Sequence, residues 1–281
     1  MINRAQGERA AAWRAVYDAL PDGPATEPGE GIFFQLEILQ RVAAGLALDA
    51  GDLPLAREWL AAHDHWLAWN GAVPGRAEGQ LGWAAYHRAA GDPALARQHA
   101  EAALAHATEP RQPLALLVAH RLLGELATGA GDHADAATHL DEALALADRC
   151  AAPYERALTL LALAELRAAE DRRAEADAAL ADARAIFAPL EAAPALARAD
   201  ALAARLAAAP AAAPDALPFG LSAREAEVLR LVAGGLTDAQ VAERLFLSPY
   251  TVKAHLRSVY GKLGVENRAA ATRLAVERGL A

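Results

Sequence analysis

The run ALLVAHRLLGELATGAG at residues 115–131, followed by DHADAATHLDEALALA at 132–147, decides the architecture of most of this chain. Both halves are dense in alanine and leucine, which favour helix, and poor in the β-branched residues that favour strand. Between them, Gly131 can take the positive φ that ends a helix and Asp132 can cap the next one. The reading is therefore helix, Gly-Asp turn, helix. Working outward, Gly51-Asp52, Gly91-Asp92 and Gly131-Asp132 lie 40 residues apart, and Asp171-Arg172 keeps the step. Five residues after each turn glycine (or Asp171) sit Ala56, Ala96, Ala136 and Ala176; twelve before those sit Ala44, Ala84, Gly124 and Ala164; four after them sit Leu60, Ala100, Leu140 and Leu180. A period in the range of 20–50 residues is the mark of a repeat array. The alternative is accidental periodicity in alanine-rich text, against which stand four units with their turn residues in register.

The pattern resembles a tetratricopeptide repeat. The small-leucine-alanine signature of that family falls on Gly124, Ala136, Leu140 and Ala143, and again on Ala164, Ala176, Leu180 and Ala183. The period departs from the usual 34, and the family's aromatic residues are mostly missing. The resemblance implies a solenoid of helical hairpins with a long concave face. Composition agrees: alanine (79) and leucine (42) make up about 43% of the 281 residues, which points to an all-α chain and away from sandwiches, barrels and doubly wound sheets. Trp59, Trp66, Trp69 and Trp83 crowd into 25 residues. They read either as an aromatic-lined ligand pocket or, preferably, as large side chains filling gaps between the first repeats.

Cys150 is alone, so no intramolecular disulfide can form. The first 20 residues lack the apolar core of a signal peptide, and no apolar run is long enough to span a bilayer. These features predict a cytoplasmic protein with no membrane association. The net charge is −9, but residues 218–281 hold nine basic and six acidic groups, so they carry +3 and residues 1–217 carry −12. Of 27 basic residues only two are lysines, Lys253 and Lys262, and both lie in that tail. A basic tail on an acidic body assigns any nucleic-acid contact to the tail. Pro210, Pro214 and Pro218 cannot continue a helix and mark a semi-rigid spacer. The expected organisation is a repeat domain at 1–209, a Pro/Ala linker at 210–218 and a second domain at 219–281.

The tail reads as four short helices. Ser222 with Glu225 forms a capping box, Val228, Leu231 and Val232 an apolar stripe, and Gly234-Gly235 a stop. Thr237 with Gln240 is a second capping box, ahead of Val241, Ala242 and Leu245. Ser248 can cap a third helix with Pro249 at its first position, and that helix runs to about Leu263. Val252, Leu256, Val259 and Leu263 make its core stripe; Tyr250, Lys253, Ala254 and Arg257 share another side. Lysine and arginine can donate to guanine O6 and N7, and an alanine methyl can meet a thymine methyl. The Ser248 and Thr251 hydroxyls, with the helix N-terminus, suit a phosphate. Gly264 stops the helix, and Asn267 caps a fourth with Ala270, Ala271 and Leu274 as apolar positions.

The run LSAREAEVLRLVAGGLTDAQVAERLFLSPYTVKAHLRSVYGKLGVENRAAATRLA resembles the helix-turn-helix domain of LuxR-type (NarL/FixJ-like) regulators. It covers about 55 residues, and its motif residues include Arg224-Glu225, Glu227-Val228-Leu229, Gly235-Leu236, Leu247-Ser248, Thr251-Val252, His255, Lys262-Leu263-Gly264 and Asn267-Arg268. The resemblance implies a third helix in the DNA major groove, with Lys253, Ala254, Arg257 and Tyr250 at base edges and Thr237, Ser248 and Thr251 at phosphates. It implies a dimer through the fourth helix, with Ala270 and Leu274 as its residues. Asp238 and Gln240 depart from the family's usual Asn and Glu, and Gly261 loosens the third helix. Glu227 reads as an internal partner, His255 as structural or phosphate-directed, and Lys262 as a cation favoured by the helix dipole.

No GxxxxGK[ST] loop, HExxH or GxSxG occurs, so no ATPase module, zinc protease or serine hydrolase is expected. The histidines His63, His65, His99, His106, His133 and His139 have spacings that fit no common zinc site. No cofactor and no metal is predicted, and the chain is not expected to be an enzyme. The expected function is sequence-specific transcription regulation on double-stranded DNA, with an unidentified protein or small molecule meeting the repeats. The alternative makes the repeats a pure scaffold or dimerisation platform.

Overall fold

The computed structural model describes residues 2–29, 32–208, 219, 221–245, 249–265 and 267–277. The predicted linker 210–218 and the residues Phe246, Leu247 and Ser248 lie outside them. The described residues are helical and contain no strand. The chain divides into two compact units, Met1–Ala208 and Ala209–Ala281.

In the first unit, α1 (Ile2–Gln6) and α2 (Arg9–Ala19) precede nine longer helices: α3 (Phe33–Asp49), α4 (Leu53–Asn70), α5 (Arg76–Ala89), α6 (Pro93–Thr108), α7 (Pro113–Ala130), α8 (His133–Arg149), α9 (Pro153–Ala169), α10 (Arg173–Phe187) and α11 (Ala193–Ala208). The quoted stretch is α7, its turn and α8. Its turn chemistry repeats as the spacing requires. Gly51, Gly91 and Gly131 have φ of 75°, 80° and 79°. Asp52, Asp92 and Asp132 then accept from the backbone N–H three residues on, at 3.0, 3.0 and 3.2 Å. The fourth unit departs from this pattern. Asp171 takes the left-handed conformation at φ 59°, and Arg172 makes no side-chain cap. Instead its guanidinium forks onto Glu175 at 2.6 and 2.7 Å and reaches Glu170 at 3.0 Å.

Each Gly-Asp turn closes a hairpin, and the small residues lie in its seam. Ala44, Ala84 and Ala164 are buried, as are Ala56, Ala96, Ala136 and Ala176 opposite. At Gly124 the approach is closer still: a Cβ there would stand 2.7 Å from Leu140 Cγ and 3.3 Å from the Ala136 carbonyl oxygen. The odd-numbered helices α3 to α11 also pack on their odd-numbered neighbours, so they form one layer, with α4, α6, α8 and α10 as the other. Helix α1 packs on α11, and its Arg4 clamps Asp49 at the end of α3 with bonds of 2.7 and 3.0 Å.

The tryptophans separate by role. Trp59 and Trp66 are buried with Val16, Leu20 and Leu46, which is the packing role. Trp83 is half-buried and donates to Asp64 at 2.8 Å, while Trp69 is 58% exposed. Cys150 is half-buried at the end of α8. No described helix is long and apolar enough to cross a membrane.

Candidate nucleic-acid interface

The second unit contains α12 (Ala223–Ala233), α13 (Asp238–Leu245), α14 (Pro249–Leu263) and α15 (Arg268–Glu277). Local chemistry sets each boundary. Ser222 accepts from the Glu225 N–H at 3.2 Å while the Glu225 carboxylate accepts from the Ser222 N–H at 2.7 Å, which completes the capping box. Thr237 and Gln240 make the equivalent exchange, with the Gln240 side chain accepting from the Thr237 N–H at 2.8 Å. Gly235, at φ 89°, ends the α12 turn. Gly264, at φ 66°, ends α14, and the Val265 N–H folds back onto the Tyr260 carbonyl at 3.0 Å. Asn267 caps α15 by accepting from the Ala270 N–H at 3.0 Å.

Helix α14 runs without a break through Gly261. Val252 and Leu256 pack with Val228, Val232, Val241 and Leu245; Val259 and Leu263 pack with Leu221, Leu229, Ala271 and Ala275. The apolar stripe is therefore spent on two small clusters. Lys253, Ala254 and Arg257 are left exposed on the outer side. Thr237 is exposed, Thr251 and His255 are half-buried, and the side chain of Tyr250 lies outside the described residues, as does Ser248. On α15 the buried positions are Ala271 and Ala275; Ala270 and Leu274 are half-buried, and Leu274 leans on the domain's own core.

Among the described residues, cross-links from Glu225 and from Arg268 position these helices, and neither follows from the local sequence pattern. The buried Glu225 carboxylate accepts from Ser258 Oγ and Lys262 Nζ, each at 2.7 Å, as well as from its own cap. Burial alone would raise its pKa, but the bonds from Lys262, Ser258 and Ser222 outweigh it and bring it to about 2. Lys262 is thus a tie between α14 and α12 rather than only a C-terminal cation. The second cross-link is Arg268, which donates to Asp238 at 2.6 Å and to the Leu236 carbonyl, fastening the start of α15 to the turn before α13. Glu227 is an internal partner: Arg224 holds it at 2.6 Å and reaches the Leu245 carbonyl at 2.7 Å. The signal for both ties was present as acid and base residues, but their partners are 30 and 37 residues away.

Residues 220–275 match the family described as bacterial regulatory proteins, luxR family. The second unit is a LuxR-family domain. An HTH-type transcriptional regulator of Mycobacterium tuberculosis (strain ATCC 25618 / H37Rv) is 32% identical over 255 residues, covering 87% of this chain and 26% of that protein. The transcriptional regulatory protein SgaR of Hyphomicrobium methylovorum is 52% identical over 56 residues, 20% of this chain and 26% of its own length. The transcriptional regulatory protein NarL of Mycobacterium tuberculosis (same strain) is 47% identical over 60 residues, 21% of this chain and 28% of its own. The chain spans about a quarter of the length of these relatives. The first likeness extends through the helical stack, whereas the other two are confined to about the length of the LuxR-family domain.

Proposed function

We propose that this chain is a sequence-specific DNA-binding regulator of transcription that uses α14 as its recognition helix. The observation that carries the reading is the division of α14: Val252, Leu256, Val259 and Leu263 are buried while Lys253, Ala254 and Arg257 face outward. A helix so divided can lie in a major groove with its cations at guanine edges and its small residue at a thymine methyl. In this reading Tyr250 joins the base contacts, and Thr237, Ser248 and Thr251 hold phosphates. The domain pairs through α15 with Ala270 and Leu274 at the contact. Genome-wide mapping of DNA bound by the intact protein supplies the site. On it, Lys253→Ala and Arg257→Ala are each expected to cost about 1–3 kcal/mol of specific binding. Wild-type affinity in both variants would instead favour a tail that docks on protein.

For the first unit, the reading is a tetratricopeptide-like stack that docks a partner protein. Ile32 (62% exposed), Phe34 (56%) and Trp69 support it, because Phe33 links Phe34 and Trp69 at ring separations of 5.4 and 6.5 Å into one exposed apolar group. Solution masses of the wild type and of Phe34→Ser/Trp69→Ser distinguish this from a dimerisation platform, since loss of a dimer in the variant would make the patch a self-contact.

A further inference from the structure

The proposed DNA-facing side carries an acid where a binding surface for phosphates should not want one. Thr237, Asp238, Lys253 and Arg268 line one open cleft of about 550 Å³, formed by the start of α13, the outer side of α14 and the start of α15. Arg268 is already paired there: one terminal guanidinium nitrogen donates to Asp238 Oδ1 at 2.6 Å and the second donates to the Leu236 carbonyl. Among the described residues Lys253 has no ion-pair partner. The cleft thus contains two cations and a single carboxylate, and that carboxylate is partly exposed beside Thr237.

From this arrangement we infer that Asp238 sets the strength of DNA binding: it neutralises Arg268 and repels the phosphate that Thr237 and Lys253 would attract. Resting on the DNA-binding reading above, the inference names the residue that limits affinity at that site. A negative charge a few ångströms from a phosphate weakens binding roughly fivefold in a water-filled cleft, and salt screens it. Sequence-independent affinity is governed by the phosphates a surface neutralises, so removing one interfering anion should steepen the salt dependence. Asp238 therefore holds the domain below its attainable affinity. The same residue positions Arg268, and hence α15, so a change of charge must be separated from a change of shape.

Asparagine makes that separation, because its amide oxygen can still accept from Arg268. Full-length wild type and Asp238→Asn are titrated against a labelled mixed-sequence DNA duplex over a salt series, with thermal unfolding followed in parallel. The expected result is binding tighter by about three- to tenfold at low salt. The log-log salt slope should be steeper by about one, and the gain should fade as salt rises. Asp238→Ser serves as a second neutral variant, with the Thr237–Gln240 cap left intact, so that a folding failure of one does not shield the idea. Asp238→Glu should keep the wild-type slope, and Glu58→Gln, which removes an exposed charge from the first unit, should change binding far less than loss of the Asp238 charge does. Unchanged or weaker binding by a folded neutral variant overturns the inference. If the wild type itself does not bind the duplex while every variant is folded, the DNA-binding reading fails and the inference with it.

Discussion

Of the buried ionisable residues Glu37, His63 and Glu225, the last two, one in each unit, are displaced furthest and give the chain two separable acid transitions. His63 is fully buried between α4 and α5, and its Nε2 lies 3.2 Å from the Gly75 carbonyl. Burial, then the nearby positive charge of Arg41, push its pKa down to about 4, against the weaker pull of that carbonyl. The folded state therefore resists protonation that the unfolded chain accepts near 6.5. Stability is fully present above pH 6.5 and falls by about 3 kcal/mol as pH drops to about 4. Glu225 behaves differently. Its folded pKa of about 2 lies below the usual 4.5, so its contribution, also about 3 kcal/mol, holds above 4.5 and is lost as pH falls toward 2. All five tryptophans lie in residues 1–208, so tryptophan fluorescence follows only the first unit. Fluorescence should register loosening in the higher pH window. His63→Gln should flatten that response and leave the Glu225 window, read by hydrogen exchange of α12 and α14 amides, in place. A fluorescence change confined to below pH 4 would contradict the assignment.

At the scale of the helices, what could be read from sequence was whatever chemistry is local. Turn glycines, aspartate caps, capping boxes and the α14 stripe all depend on residues within a turn or two of each other, and each is found where its spacing puts it. The two capping pairs in the LuxR-family domain carried enough information to place the first residues of α12 and α13. Partners far apart in the chain were not legible. Nothing near Glu225 names Lys262 as its partner, nothing near Arg4 names Asp49, and the exposure of Trp69 beside two buried tryptophans depends on which helix covers which. The seam glycine provides a test of the local reading. Gly124→Ala removes a helix penalty of about 1 kcal/mol but drives a methyl into the fully buried Leu140. Overpacking of about 1–3 kcal/mol should win, giving a net loss in denaturant unfolding. Asp171→Gly should act oppositely. It restores the turn residue of the other three units at φ 59°, and a gain of up to about 1 kcal/mol is expected. Loss of stability in Asp171→Gly would mean that the Asp171 side chain matters more than its backbone.

For the molecule as a whole, the distribution of charge gives the last prediction. Residues 1–217 carry −12 and residues 218–281 carry +3, so the two parts respond to a polyanion with opposite sign. Phosphate contacts dominate binding to DNA, and an acidic body tethered to the binding domain raises the cost of approach. That cost is electrostatic and must shrink as salt rises. We predict that the fragment 215–281 binds duplex DNA more tightly than the full chain at low salt and that the two converge at high salt. A dimer formed by the first unit would work in the other direction, since two linked domains gain affinity by effective concentration. That gain depends on protein concentration and is far less sensitive to salt. Titrations of both proteins against one duplex, over a grid of salt and protein concentration, therefore separate the two effects. Equal affinity at low salt, with the fragment folded, would show that the acidic unit exerts no restraint. A full chain that binds better, and increasingly so with its own concentration, would place pairing rather than repulsion in the helical stack.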